Sequence, residues 1–261
     1  MERKIVIHLF VYEGDAALIT ENLRCCRNAV PEAKLVVIDD GNNPCPPEVR
    51  KEAEAFGAEW RVSAWSRGGN LRGRACIEGI LSELLASSSR EDDILMKIDA
   101  DTCLLDGASL KNFAAGEKVI WASGCPDERI YGCAYALKAH AVQKVLDYVK
   151  TLELSDHAPE DIIIGFSTID IFPDSALHDI TRPLSQEPGV AKWAAYNWVL
   201  YPEVRPAYMD YTVVTTGNKP KPPLHKRHRL PVMRALRKAY EERNQSATPQ
   251  TWGQNDHNMK K

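Results

Sequence analysis

The chain opens with a continuous apolar run, Ile5 to Val11, then Glu13-Gly14-Asp15, then a segment in which Leu18, Ile19, Leu23 and Cys26 recur at helical spacing. A short apolar run bounded by turn-forming residues reads as a buried strand, and the recurrence reads as a helix packed against it. The alternation then repeats. Lys34 to Ile38 predicts a second strand that stops at the polar turn Asp39-Asp40-Gly41-Asn42-Asn43, and Pro46 opens a helix to about Phe56 with Gly57 as its stop. Trp60 to Trp65 leads into Arg67-Gly68-Gly69-Asn70, a long helix follows to about Ser87, and a third buried strand, Ile94 to Ile98, runs into Asp99-Ala100-Asp101. Strands alternating with helices of this length predict an α/β fold, a mostly parallel sheet covered on both faces.

Past Leu110 the pattern changes. Lys118 to Ser123 and Ile130 to Leu137 read as strands, Ala139 to Lys150 as a helix, and Pro159 to about Phe166 as a short helix. Ile169 to Phe172 and Ala176 to His178 read as extended pieces, Tyr208 to Thr215 as one more strand, and Pro231 to Arg243 as a helix with Val232, Met233, Leu236, Ala239 and Tyr240 on its apolar side. The expected organisation is one domain over residues 1–243, with halves at 4–105 and 106–218 and a C-terminal segment at 219–243. Residues 244–261 are polar and unpatterned and are expected to form a disordered tail.

Composition adds little until charge is divided along the chain. The 261 residues are 44% hydrophobic and 26% charged, which excludes a disordered polymer, and no apolar stretch is long enough to span a bilayer. Between Lys219 and Arg243, however, nine Lys/Arg stand against Glu241 and Glu242, a charge of +7 that leaves −10 for the rest of a chain whose net charge is −3. An acidic body with a basic C-terminal segment is compatible with contact to an anionic membrane surface or to nucleic acid, as well as with a solvated helix. Seven cysteines without a C-x-x-C pair signal neither a disulfide framework nor a zinc cage. With no signal peptide in the opening residues, a reduced, cytoplasmic protein is expected, with peripheral membrane association an open option.

In an open parallel sheet, ligands sit beyond the carboxyl ends of the strands. Three strands here end in polar residues that should share one edge: Val11 and Tyr12 after the first, Asp39 and Asp40 after the second, and Asp99 and Asp101 after the third. Two carboxylates at i and i+2 of an extended segment point to the same side, and hard oxygen donors so placed suit Mg²⁺ or Mn²⁺. An isolated D-x-D is also a common turn. Asp39 and Asp40 could bond ribose hydroxyls or a base edge, and Arg72 and Arg74, near the start of the long helix, could pair with phosphate. Lys97, on the strand that leads into the D-x-D, is expected to face away from the aspartates and to be structural. Glu160-Asp161 at a helix start either complements the helix dipole or supplies a general base. His178 is either an ordinary satisfied histidine or a third ligand beside the two aspartates.

These elements resemble, in order and spacing, the GT-A fold of nucleotide-sugar-dependent glycosyltransferases. Val36-Val37-Ile38-Asp39-Asp40-Gly41-Asn42 looks like the second-strand D-D-G-S segment of the large family 2 group. Asn70-x-x-Gly73-Arg74-Ala75-Cys76-x-x-Gly79 is similar to its N-x-G…A-R-N-x-G helix, and Ile98-Asp99-Ala100-Asp101-Thr102 falls where its D-x-D lies. Tyr131 to Leu137 resembles the acceptor-side loop and strand. Pro159-Glu160-Asp161-Ile162-Ile163-Ile164-Gly165 is similar to the E-D-V-x-x-G motif of β1,3-galactosyltransferase and Fringe-like enzymes. Ile171 to His178 looks like the segment that carries a metal-binding histidine, although its distance from Asp161 is short for the pattern, and His225 is a rival. Val214 to Pro220 faintly resembles a lipopolysaccharide galactosyltransferase segment without its histidine. The likeness covers about residues 4–180.

The resemblance implies a GT-A mostly parallel sheet with a smaller acceptor-side sheet, a nucleotide-sugar donor such as a UDP-sugar, and Mn²⁺ or Mg²⁺ on Asp99, Asp101 and His178. Donor contacts would come from Val11, Tyr12, Asp39, Asp40, Arg74 and Asp99, and Asp161 would be the base of an inverting transfer. The acceptor would be a glycan, lipid-linked glycan, protein or modified nucleic acid. The competing readings are a nucleotidyltransferase, which also pairs carboxylates with metal, and a protein that binds nucleic acid or an anionic surface through residues 219–243.

Overall fold

The structure is a computed structural model that describes residues 3–67, 70–124, 130–173, 177–180, 197–198, 211–216 and 226–247. Its centre is a seven-stranded sheet. The first half of the chain supplies β1 (Ile5–Val11), α1 (Ile19–Ala29), β2 (Lys34–Asp40), α2 (Pro47–Ala55), β3 (Glu59–Ser63), α3 (Arg74–Leu85) and β4 (Ile94–Ile98). There follow β5 (Thr102–Leu104), α4 (Ala108–Ala115), β6 (Ile120–Gly124), β7 (Ile130–Lys138), α5 (Ala139–Val149), α6 (Glu160–Ile171) and β8 (Leu177–Asp179). The last elements are β9 (Asn197–Trp198), β10 (Val213–Thr215) and α7 (Lys226–Ala247).

The sheet order is β3-β2-β1-β4-β7-β6-β8, and a second sheet has the order β5-β10-β9. Strands β3, β2, β1 and β4 run parallel, β7 is antiparallel to both β4 and β6, and β8 is parallel to β6. Alternation along β1 explains how one apolar run serves two layers. Ile5, Ile7, Leu9 and Val11 pack with Leu18, Ile19 and Leu23 of α1 and with Val232, Met233 and Leu236 of α7. Val6 and Phe10 pack on the other face with Ile77, Ile80 and Leu84 of α3 and Val142 and Val145 of α5. A strand buried on both sides needs no polar alternation, which is why the run is interrupted only by His8, itself buried.

Several boundaries differ from expectation for identifiable reasons. Asp39 and Asp40 are strand residues, not turn residues, because β2 is paired on both sides out to Asp39↔Val11 and Asp40↔Ser63. Ile169 to Ile171 continue α6 rather than forming an extended piece; the helix carries Ile163, Ile164, Ile169 and Ile171 against the sheet layer, an apolar density that hides helical period. α7 starts five residues before Pro231 and runs through Asn244 to Ala247, so the expected tail begins no earlier than 248. The strands β5 and β9 and the helix α4 were not anticipated. The six described cysteines are free, and no helix among the described residues is long and apolar enough to cross a membrane. Residues 219–225, including His225, and 248–261 lie outside the described residues.

On β1, His8 is fully buried, with Nδ1 at 3.1 Å from Met96 O and Nε2 at 2.8 Å from Ser87 Oγ. Burial disfavours the imidazolium and lowers its pKa from 6.5 to about 3. The folded chain therefore takes up this proton less readily than the unfolded one. Its contribution to stability is complete above pH 6.5 and is lost as pH falls toward 3. Imidazole NMR shifts followed downward from neutral pH should show His8 of the folded chain neutral until the chain unfolds; a midpoint near the ordinary value in the folded chain would overturn this.

Candidate active site

The strand order reverses direction between β1 and β4, and the chain leaves both strands at the same edge. An open cleft of about 480 Å³ lies there. One wall comes from Phe10, Tyr12 and Asp15 after β1, and the floor from Lys97 and the Asp99-Ala100-Asp101 turn after β4. Gly132 and Cys133 of β7, Glu160, Asp161 and Ile162 of α6, and Thr215 and Arg229 from the C-terminal elements close the other side.

The D-x-D segment is a turn rather than an extended piece. Thr102 N donates to Asp99 O at 3.1 Å, and Asp99 N to Cys133 O at 2.8 Å. The buried Asn22 of α1 donates through Nδ2 to Asp99 O at 2.9 Å and to Thr102 O at 2.6 Å, clamping both ends. Thr216 holds Asp101 O through its N–H and its hydroxyl, each at 2.9 Å. The turn forms because β4 ends and β5 peels away toward β10, leaving the intervening carbonyls to be satisfied by side chains.

Lys97 corrects the sequence reading. It stands two residues before Asp99, so the period of two puts both on one side of the chain, and its Nζ lies 2.6 Å from Asp99 Oδ1 and 3.1 Å from Glu160 Oε1, with a further bond to Gly132 O. Lys97 is 1% exposed, and these anions hold it charged, its pKa raised well above the usual value against the effect of burial. Glu160 is 5% exposed; burial pushes its carboxyl up to about 7, with Lys97 pulling it down and Asp161 and Asp99 pushing it further up. Gly132 is required by this packing. A Cβ there would sit 3.0 Å from Asp161 Cβ and Oδ2 and 3.1 Å from Glu160 Oε1.

The start of α6 is fixed from across the cleft. Gly73 N donates to Ala158 O at 2.9 Å and Glu160 N to Leu71 O at 3.2 Å, so the 70–73 loop is stitched to the residues before α6. The loop takes this path through Gly73 at φ 83° and Leu71 at φ 55°, the latter an uncommon conformation for a branched side chain. Asp161 is thereby presented to the cleft, its Oδ1 accepting from Ile162 N at 2.9 Å.

The other expected site residues are placed elsewhere or inward. Val11 is buried in the core, 1% exposed, while its neighbour Tyr12 lines the cleft. Asp39 is buried and accepts from Cys45 N with both oxygens, at 3.0 and 3.1 Å, and burial raises its pKa. Asp40 closes an Asx turn on Asn42 N at 3.0 Å. Arg74 faces away from the cleft: its guanidinium caps the C-terminal carbonyls Val149, Lys150 and Leu152 after α5 and pairs with Glu78. His178 is on the edge strand β8, three strands from β4, about 14 Å at the usual strand spacing, with its ring 5.9 Å from that of Phe113. Replacing His178 with alanine should leave Mn²⁺ affinity of the chain within twofold of wild type by titration calorimetry; a tenfold loss would restore it as a ligand.

Lys97, Arg67 and Arg229, which line the cleft, had no site role in the sequence reading. Arg229 reaches from α7 to pair with Asp101 Oδ2, across 128 residues of sequence. The charge split was the available signal for it, since part of the basic segment is used inside the molecule. Arg237 likewise pairs with the buried Glu21 of α1 and with Glu241.

Solved structures share the fold. Over 93% of this chain and 51% of its own, the WbbM bifunctional glycosyltransferase superposes with a TM-score of 0.50 at 10% identity. The fold is GT-A. A mannosyltransferase from Pyrobaculum calidifontis, solved with GDP-Man and Mn²⁺, gives a TM-score of 0.45 at 13% identity over 70% of this chain and 58% of that one. Glucosyl-3-phosphoglycerate synthase from Mycobacterium tuberculosis, solved with Mn²⁺, UDP and phosphoglyceric acid, gives 0.43 at 16% identity over 67% of each chain. This chain thus spans a little over half the length of the mannosyltransferase and of WbbM. No protein-family model and no curated protein sequence matches it.

Whether the GT-A cleft suits a divalent cation is decided by its donors. Asp99 and Asp101 bring two hard carboxylates to one turn, and a Mg²⁺ or Mn²⁺ ion is commonly held by one or two carboxylates with its remaining positions on water and phosphate oxygens. Among the described residues no third His, Cys, Asp or Glu joins them. With one oxygen of Asp99 on Lys97 and one of Asp101 on Arg229, these carboxylates would bring at most a few oxygens to such an ion, which would complete its shell from water and the substrate.

Proposed function

We propose that this chain is a metal-dependent glycosyltransferase that moves a sugar from a nucleoside diphosphate sugar, a UDP-sugar in the simplest case, to an acceptor hydroxyl with inversion. The observation that carries this reading is the convergence of Tyr12, the Asp99-Ala100-Asp101 turn and Asp161 on one cleft at the switch point of the sheet. The structures of similar fold that were solved with GDP-Man or UDP and Mn²⁺ support it as analogy.

Asp99 and Asp101 would hold Mn²⁺ or Mg²⁺, which when bound supplies positive charge to the diphosphate. Lys97 orients Asp99 from beneath. Asp161 takes the proton of the acceptor hydroxyl as its oxygen forms a bond to the anomeric carbon; the bond from that carbon to the donor phosphate oxygen breaks, and the nucleoside diphosphate leaves with the electron pair. The acceptor is a glycan, lipid-linked glycan, protein or modified nucleic acid. Arg229 and Arg237 turn toward the body, so any anionic membrane or nucleic-acid contact rests on the outward cations of residues 219–243.

A screen of nucleotide sugars for transfer and slow hydrolysis, with Mn²⁺ and with EDTA, tests the reading. Release of nucleoside diphosphate from one donor, stopped by EDTA, is the expected result. Release of pyrophosphate from a nucleoside triphosphate would point to a nucleotidyltransferase instead, and no metal-dependent turnover or nucleotide binding at all would remove the enzyme reading.

A further inference from the structure

Arg67 lies in the loop after β3 and forms part of the cleft wall. Its guanidinium carbon sits 4.7 Å from the centre of the Tyr12 ring. The ring is held from its other neighbours by Gly14, where an added Cβ would come within 2.6 Å of it, so the stack is built into the turn after β1. The Arg67 side chain is 13% exposed, and among the described residues its ion pair is a long one, 3.7 Å from Nη1 to Asp15 Oδ2. Both Nε and Nη1 are buried and make no hydrogen bond among the described residues.

A guanidinium cannot relieve that situation by losing its proton. Desolvated donors without acceptors are costly, and the cost vanishes when an anion supplies the acceptors. The stack on Tyr12 fixes the side chain beforehand, so that little rotamer freedom is lost when the anion arrives. Of the other arginines, Arg74 is committed to the carbonyls at the end of α5, Arg72 donates to His157 O at 3.3 Å, and Arg229 pairs with Asp101. We infer that Arg67 is the diphosphate-binding arginine of the cleft, facing the anion from the β1 side while the D-x-D turn faces it from the β4 side. This assignment rests on the nucleotide-sugar reading for the identity of the anion.

The test uses the full chain with Mn²⁺ present, titrated with UDP and with inorganic pyrophosphate, and compares wild type with Arg67→Met and Arg67→Lys. Arg67→Met should weaken both ligands by at least about tenfold, leave the ligand-free melting temperature unchanged or raised, and be partly rescued by lysine. A lowered melting temperature with UDP binding within twofold of wild type would make Arg67 structural and overturn the inference while leaving the nucleotide reading intact. Arg67-dependent pyrophosphate binding in a chain that binds UDP no more tightly would uphold the inference and sink the nucleotide reading. Wild type binding neither ligand would overturn both.

Discussion

Replacing Asp161 with asparagine should lower sugar transfer by about 10² to 10⁴-fold, the range in which a positioned general base contributes, and leave Mn²⁺-dependent UDP binding unchanged. The substitution is close to isosteric. The side-chain oxygen can still accept from Ile162 N–H, and the start of α6 remains stitched to the 70–73 loop through Glu160 N and Leu71 O. What is removed is the capacity to take a proton at that point of the cleft. Single-turnover rates with calorimetry on the same preparation separate the two effects. Loss of UDP binding together with transfer would mean that Asp161 holds the donor instead, and a product with the donor's anomeric configuration would remove the need for a base there.

Replacing Lys97 with methionine should cost about 3–5 kcal/mol of stability, the penalty for breaking a buried ion pair by deleting one partner. Lys97 bridges Glu160 and Asp99, and of these Glu160 is the more buried, at 5% exposed. The cure is to neutralise it: the double variant Lys97→Met, Glu160→Gln should recover much of the loss. Acidity should do the same. Because burial already raises Glu160 from 4.5 to about 7, the folded chain holds this proton more tightly than the unfolded one. Its effect on stability is therefore most favourable below pH 4.5 and is lost as pH rises through 7, and without Lys97 the loss steepens. Urea unfolding of the single variant should show a smaller deficit near pH 5 than near pH 8; an equal deficit would place the cost in packing.

What the sequence made legible was what depends on neighbours along the chain. The runs at Ile5, Lys34 and Ile94 are continuous because those strands are buried on both faces, and their polar ends mark the edge where the cleft lies. β5 and β9, of three and two residues, are too short to carry a period and exist because β10 pairs with both. Asp39, Asp40 and Arg74 matched a familiar pattern in sequence. Their hydrogen bonds, to Cys45, to Asn42 and to the carbonyls after α5, depend on folded contacts that local pattern does not encode. Lys97 was within reach: counting two residues to Asp99 places them together. Arg67 was not, since its unsatisfied N–H groups are visible only once Tyr12, Gly14 and Asp15 surround it.

The pairing of Asp101 with Arg229 also has a temporal side. The two residues are 128 positions apart, so at about 5–20 residues per second a ribosome makes the aspartate roughly 6 to 25 seconds before its partner. During that interval the parallel strands can already assemble around an acidic turn whose C-terminal carboxylate has yet to meet its arginine. The cleft is finished last, from the carboxyl-terminal side, and a nascent chain arrested before α7 would carry the sheet without a completed floor.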